Sequence, residues 1–483
     1  MVRNQQMKID ISPINNYLFK IPKSDSMHVP AFVYGTQAMI DAIRQDGGLR
    51  QLVHMSQLPG IVKAALAMPD IHCGYGFPIG GVAAFDWQNG VISPGGVGYD
   101  INCGVRLIRT LIEKETIVPH MDMLLNTLFQ QIPSGAGSKK KKLKVDLERA
   151  VKNGSQWAVK KGFGDQRDIE FTEQKGCMPD VDIDTITSRA LQRGKHQLCT
   201  LGGGNHFLEI DVVEEIYDES IARTFGLFEN QVAVLLHTGS RGLGYQICDD
   251  YIAIMQKQAK KLGIPMLNSQ LASMPILSPK GQAYYSAMSG AANFAWANRQ
   301  IITHFVREIF QDVLQMSPRD LGMDLVYDLS HNIAKKEQHE VDGKKQTLCV
   351  HRKGATRAFG PGHRSLPSEY QQSGQPVLVP GDMGNGSYVL AGTQTAMTET
   401  FGSACHGAGR ILSRSAAKKA ARGRSIMDEL LEKDVQVRYR GRATLAEEMP
   451  EAYKDIGDVV DVIAQAGIAK KVARLRPLGV IKG

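Results

Sequence analysis

Glycine fills 49 of the 483 positions, about one residue in ten against a usual ~7%. A chain so rich in glycine must turn tightly and often, and must let backbone come close to backbone or ligand. Many of these glycines sit in blocks that adjoin short apolar runs, as in PGGVGYDINCGVR, TLGGGNHFLEI, VLVPGDMGNGSYVL and CHGAGR. Such a pattern describes many strands and turns built into one body. Apolar residues at 43% and charged residues at 22% exclude wholesale disorder. Mean hydropathy is −0.21, and no run of about 18 apolar residues free of charge occurs, so a membrane span is not expected. The start, MVRNQQMKIDISPINN, lacks an apolar signal core, which predicts a cytoplasmic location.

Lys and Arg number 57 against 49 Asp and Glu, a net charge of +8 that suits a polyanionic partner. The seven cysteines (73, 103, 177, 199, 248, 349, 405) include no C-x-x-C pair, which argues against a disulfide framework or a zinc ribbon. Neither an internal repeat nor a Pro- or Ser-rich linker divides the chain, so residues 1–483 read as a single domain. The basic run 135–144 reads as a solvated loop, with a phosphate-backbone contact as the sharper alternative. Residues 291–315 place Ile301, Phe305, Ile309 and Val313 four apart, predicting an amphipathic helix, and 408–424 predict a second helix with a basic face. Short β-branched runs at Val232–Leu236, Leu325–Leu329 and Val377–Val379 predict strands. Helices and strands mix without strict alternation, which favours an α/β body of the mixed α+β kind.

Chemistry concentrates in the glycine-bounded segments. His206, His237 and His331 each adjoin a predicted strand beside a turn, and Asp100 and Cys103 share one glycine-bounded turn. Strand ends converge readily on one cleft. Together these five offer O, S and N donors for one or two metal ions, although each alone is as well read as a packed or hydrogen-bonded core residue. No H-E-x-x-H and no H-x-E…P-C-x-x-C occurs, which excludes zincin and deaminase sites. Val377–Leu390 offers free backbone N–H groups to an anion, and His406 stands in a glycine turn just before the predicted basic helix. Neither segment matches a P-loop, and the K-x-D-G nucleophile motif of ordinary nucleotidyltransferase ligases is absent.

The ordered set GYDINCGVR, GGGNHFLE, HTGSRGLG, DLSHNIA, HRKGATRAFGPG, PGDMGNGSYVL, CHGAGR and a terminal PLGVIKG resembles the RtcB family of RNA ligases, over about residues 68–483. The resemblance implies one large body with β-sheets around a central metal and nucleotide cleft and helices outside. It implies joining of RNA 3′-phosphate or 2′,3′-cyclic phosphate ends to 5′-hydroxyl ends in tRNA splicing and RNA repair, with GTP and two Mn²⁺. His406 would carry GMP covalently, with Asp70 orienting its ring. Cys103 would bridge the two Mn²⁺, Asp100 and His206 completing one site, His237 and His331 the other. Thiolate and imidazole donors by themselves favour Zn²⁺ over Mn²⁺. Guanine-nucleotide contacts fall on Asn205, His206, Phe207, Leu208, Glu209, His331, Asn332, Pro380, Gly381, Asp382, Met383, Ser387, His406, Gly407, Ala408, Gly409 and Lys482. Glu209 suits the N1–H and N2–H₂ of guanine, and Leu475, Leu478, Val480 and Ile481 would dock the tail bearing Lys482. Arg241, Arg352 and the 408–424 helix would track the RNA backbone, and an archaease-type protein is a candidate activator. Two other classes fit parts of the pattern: a dinuclear phosphodiesterase, which needs the same ligands but no covalent His406, and a non-catalytic RNA-binding protein.

Overall fold

Two large sheets form the body in the computed structural model, which describes residues 9–483 apart from 45, 136, 141–142 and 262–267, and all three predicted strands fall in the same one. One sheet orders its strands Asp324–Ser330, Gly104–Glu113, Gln231–Thr238, Phe207–Ile216, Ala469–Lys482, Ser387–Gly392 and Pro376–Pro380, with Gln436–Tyr439 pairing alongside Ala469–Lys482. The other runs Ser12–Asn15, Leu18–Ile21, Ala31–Tyr34, Ile61–His72, Ile79–Asp86, Lys344–Lys353 and Asn332–Val341. Most neighbours are antiparallel; Ala31–Tyr34 with Ile61–His72, and Gln436–Tyr439 with Ala469–Lys482, are parallel. The result is the mixed α+β body expected. Among the described residues, no helix is long and apolar enough to cross a membrane.

Register decides where the chemistry lands. Gly104 pairs with both Ser330 and Thr238, and His237 pairs with both Val105 and Phe207. Four neighbouring strands therefore begin or end along one edge, which carries Cys103, His206, His237 and His331 within a residue of it. The chain leaves this sheet after Ser330 and enters the other at Asn332, so His331 stands at the crossing.

Beneath that edge runs the helix Pro279–Leu314, and here the sequence reading needs correction. The helix begins before residue 291, with Ser278 accepting from the Gly281 N–H and Pro279 in its first turn. Its solvent face is also missing over much of its length. Ile301 and Ile309 are buried as expected, but so are Asn298, Arg299, Gln300 and Thr303. Those polar side chains fasten neighbouring segments: Asn298 accepts from Thr200 N, and Arg299 Nη1 donates to the carbonyls of Asn102 and Thr238. Asp328 sits between Arg299 and Arg106, at 2.8 and 2.7 Å. Removing one partner from such a buried set strands a charge and typically costs about 3–5 kcal/mol.

The predicted 408–424 helix is also corrected. Only Arg414–Ala420 is helical, with Ser413 as its cap. Gly409 explains the late start: its φ is +73°, and a Cβ there would lie 2.4 Å from the Asp70 carbonyl oxygen. His406 accordingly follows the strand Ser403–Cys405 and is not placed at a helix N-terminus. Of the basic run, residues 136, 141 and 142 lie outside the described residues, and its other members carry neither helix nor strand.

Candidate active site

The cluster at the sheet edge is tight. Cys103 Sγ lies 3.3 Å from His206 Nε2 and 3.1 Å from His237 Nε2, and His237 Nε2 lies 3.2 Å from His331 Nε2. His206 Nε2 is 2.7 Å from Asp100 Oδ2. Two donor triplets result, Asp100–Cys103–His206 and Cys103–His237–His331, sharing the sulfur. Ligands bound 2.0–2.3 Å from one ion stand roughly 3.3–3.8 Å apart; the separations among Cys103, His206, His237 and His331 come within a few tenths of an ångström of that, and the Asp100–His206 contact is shorter, that of a direct hydrogen bond. Backbone bonds hold the arrangement, since His331 N donates to Cys103 O and Cys103 N to Asp100 O, at 2.9 and 3.0 Å.

Electrostatics suit a cation. Burial, then Asp100, pushes the Cys103 thiol well above its ordinary range. Burial lowers His206, and lowers His237 and His331 further with neighbouring imidazoles adding to the effect, so all three rings are neutral. Burial works against the Asp100 carboxylate, but His206 and Arg241 outweigh it and hold the group at about 2. Neutral imidazoles beside a carboxylate and a thiol are the protonation states from which a divalent ion displaces only the thiol proton.

Beside the cluster stands His406, its ring centroid 4.9 Å from that of His331. Asp70, fully buried in the strand Ile61–His72, accepts from His406 Nδ1 at 2.5 Å and from the His406 backbone N–H at 3.0 Å. In the neutral ring this carboxylate selects the tautomer with the proton on Nδ1 and the lone pair on Nε2. Lys454 braces the segment by donating to the carbonyls of Pro69 and Ile71, at 2.8 and 2.7 Å. Gly354, at φ +61°, allows the approach, because a Cβ there would lie 3.1 Å from His406 Cε1 and 2.2 Å from Ile79 Cγ2.

His406 opens into a cavity of about 380 Å³ with Asp100, Cys103, His237 and His331, whereas His206, expected to touch the nucleotide as well, faces a neighbouring cavity instead. Asn205, Phe207, Glu209, Asn332, residues 380–383, residues 407–409 and Lys482 also line the His406 cavity. The matching family model, described as "tRNA-splicing ligase RtcB", covers residues 51–483. The chain belongs to the RtcB family. Among similar proteins, a tRNA-splicing ligase RtcB of Thermococcus kodakarensis is 52% identical over 98% of this chain and 99% of its own length. Those of Archaeoglobus fulgidus and Pyrobaculum aerophilum are 51% and 45% identical over the same shares.

Placement within this RtcB chain separates the expected nucleotide contacts. Leu208 is fully buried and does not line the cavity. Ser387 acts inside the turn, where its Oγ accepts from Gly381 N at 3.3 Å. Asp382 likewise ties its loop, accepting from Gly384 N, Asn385 N and Asn385 Nδ2. Asn332 uses its amide to donate to Asp100 O and accept from Gly354 N. Glu209 is different: burial, then Asp211, holds its carboxyl well above the ordinary range, while Asp211 is raised by burial to about 8. Lys482 is no loose end. It closes the strand Ala469–Lys482, paired on both sides, with Nζ 3.7 Å from Glu448 and 5.2 Å from the Phe207 ring centroid.

Arg352, expected to track RNA, is fully buried; it clasps Glu337 at 2.6 and 2.9 Å and donates to Ser403 and the Phe401 carbonyl. Arg241 remains at the site, its Nη1 3.2 Å from His206 Nδ1. Sequence reasoning missed Tyr453, Lys353 and His72, which also line the cavity. The HC pair in MPDIHCGYG was the available signal for the last.

Proposed function

We propose that the cleft joins RNA 3′-phosphate or 2′,3′-cyclic phosphate ends to 5′-hydroxyl ends through a guanylylated His406. Family membership makes the chain an RNA ligase of the tRNA-splicing kind. The observation that carries the finer reading is the Asp70–His406 pair: a buried carboxylate fixes one ring nitrogen while the other faces a nucleotide-sized cavity beside a cluster of metal donors. His406 Nε2 attacks the α-phosphorus of GTP; a P–N bond forms and pyrophosphate leaves. A 2′,3′-cyclic phosphate is first opened by water at the O2′–P bond to give the 3′-phosphate, and an oxygen of the 3′-phosphate then attacks the histidinyl-GMP phosphorus, breaking the P–N bond and freeing the histidine. The incoming 5′-hydroxyl oxygen finally attacks the 3′-phosphorus and GMP departs. Splitting the reaction this way replaces a very poor leaving group with GMP.

Glu209 would read the guanine edge as a carboxylate, giving up its proton as two guanine N–H donors join Lys482 in favouring the charged form, and the 380–383 and 407–409 turns would hold the nucleotide through backbone N–H groups. Lys482, held between Glu448 and Phe207, would reach the bound nucleotide. Asp100, Cys103 and His206 would hold one Mn²⁺, and Cys103, His237 and His331 a second. Ions bound there would stabilise the negative charge that builds on the phosphoryl oxygens. The assay is end joining of an RNA pair with the 3′-phosphate phosphorus labelled. The label should be retained in the new junction, and joining should require GTP; a phosphodiesterase would open a cyclic phosphate or trim the end and form no junction, with or without GTP.

A further inference from the structure

A second cavity, of about 600 Å³, also reaches the donor cluster. It shares Tyr99, Asp100 and Asn205 with the first, but its remaining wall is of another character. Lys139, Arg193 and Arg241 line it, with Asp100 the one carboxylate among the described residues of its wall. The 21-residue helix Arg241–Lys261 begins there and adds the positive end of its dipole. Among the described residues its wall carries no carboxylate placed like Glu209, only the amides of Gln192, Gln197 and Asn205.

Aromatic rings stand in the same wall. Tyr245 is 45% exposed, yet its ring stacks on Tyr99 at 4.7 Å between centroids and 23° between planes. Tyr75 continues the column 5.2 Å from Tyr99, tilted by 60°. The Arg193 guanidinium lies over the Tyr245 ring, its carbon 4.9 Å from the centroid, so the stack includes a planar cation as well as two rings. A half-exposed tyrosine stacked on a second ring, beside a planar cation and above a phosphoryl-transfer centre, matches what an unpaired nucleotide needs. Single-stranded RNA is held by stacking on aromatic rings and guanidinium planes, with cations on its phosphates.

We propose that Tyr245, backed by Tyr99 and flanked by Arg193, is the stacking platform for the terminal base of the RNA strand that carries the 3′-phosphate. This rests on the ligase reading given above. The phosphate-bearing end is assigned here, and not the 5′-hydroxyl end, because Arg241 and the donor cluster suit a dianion that the hydroxyl end lacks. Stacking without an edge-reading carboxylate accepts any base, purines more strongly than pyrimidines, and rejects an abasic end. The two cavities thus divide the substrates: nucleotide in one, RNA 3′ end in the other.

The test uses the full chain with Mn²⁺ and a short RNA ending in 2-aminopurine riboside 3′-phosphate. Binding to the unaltered protein should quench the 2-aminopurine fluorescence. Tyr245→Ala should lose the quenching and raise KM for this strand about tenfold, with KM for the 5′-hydroxyl strand the control. Tyr245→Phe should restore both, and Tyr245→Leu should fall between, which separates stacking from mere packing; melting temperature checks the fold. An abasic 3′-terminal nucleotide should mimic Tyr245→Ala. Full quenching in Tyr245→Ala, or equal KM for abasic and base-bearing ends, overturns this inference while leaving the ligase reading intact. Failure of the unaltered protein to bind or join any 3′-phosphate RNA overturns both.

Discussion

Asp70→Asn isolates what the carboxylate does for His406, since the side chain keeps its volume and loses only its charge and symmetry. Asp70 is fully buried, and one oxygen, Oδ2, serves both the ring Nδ1–H at 2.5 Å and the backbone N–H at 3.0 Å. An asparagine has one oxygen to offer. If that oxygen takes the Oδ2 place, both bonds survive but lose charge assistance, worth roughly 1.5–3 kcal/mol, or about 10–150-fold in rate. If the amide nitrogen takes it, Nδ1 must accept and the proton moves to Nε2, which blocks attack; a wrong tautomer of this kind costs up to about 10⁴-fold. Single-turnover guanylylation with labelled GTP and Mn²⁺ is the assay, beside a melting curve that checks the fold. A loss between about 10- and 10⁴-fold is expected. A variant that guanylylates within about threefold of the unaltered rate would refute the orienting role.

Three further expectations follow from the same geometry. Cys103→Ala should lose both bound ions together by elemental analysis, whereas His237→Ala should lose chiefly one; full occupancy in the cysteine variant would rule out a shared sulfur. Lys482→Met should weaken GTP affinity in a direct binding titration while leaving the melting temperature of the nucleotide-free protein within a few degrees, because the strand pairing is through backbone; unchanged affinity would remove the lysine from the nucleotide site. Glu173 is buried, which alone would raise its carboxyl, but Lys335 and Arg357 bring it down to about 2. Its folded pKa is thus below the unfolded value of 4.5, so its stabilisation is complete above that value and lost as pH falls toward 2. The difference in unfolding free energy between unaltered protein and Glu173→Gln should shrink by about 3 kcal/mol across that window in urea titrations, and a constant difference would contradict the assignment.

Periodicity and turn chemistry made the strands legible, and with them the idea that Cys103, His206, His237 and His331 end up side by side. Pairing register did the rest, and register is not written in any one segment: His237 meets Val105 and Phe207 from strands far apart in sequence. Hidden most completely was the helix Pro279–Leu314. An amphipathic helix is expected to leave its polar side chains to solvent, yet Asn298, Arg299 and Gln300 are each buried and bonded. Arg352 misled for the same reason, since its partner Glu337 is found only across a hairpin. The basic helix was overextended because alanine, lysine and arginine favour helix, whereas Gly409 must press against Asp70 in a conformation no helix allows. Lys482 shows the opposite case, a terminal residue whose apolar neighbours foretold a docked tail and which the structure builds into a strand.

The central claim is that His406 becomes covalently guanylylated, and one measurement addresses it without intermediaries. Protein incubated with Mn²⁺ and GTP labelled at the α-phosphorus is denatured, separated by electrophoresis and imaged. The account predicts a labelled band that is lost in acid and kept in alkali, as a phosphoramidate is, and that is absent from His406→Ala of normal melting temperature. An acid-stable label, or a label that persists in the alanine variant, would contradict it.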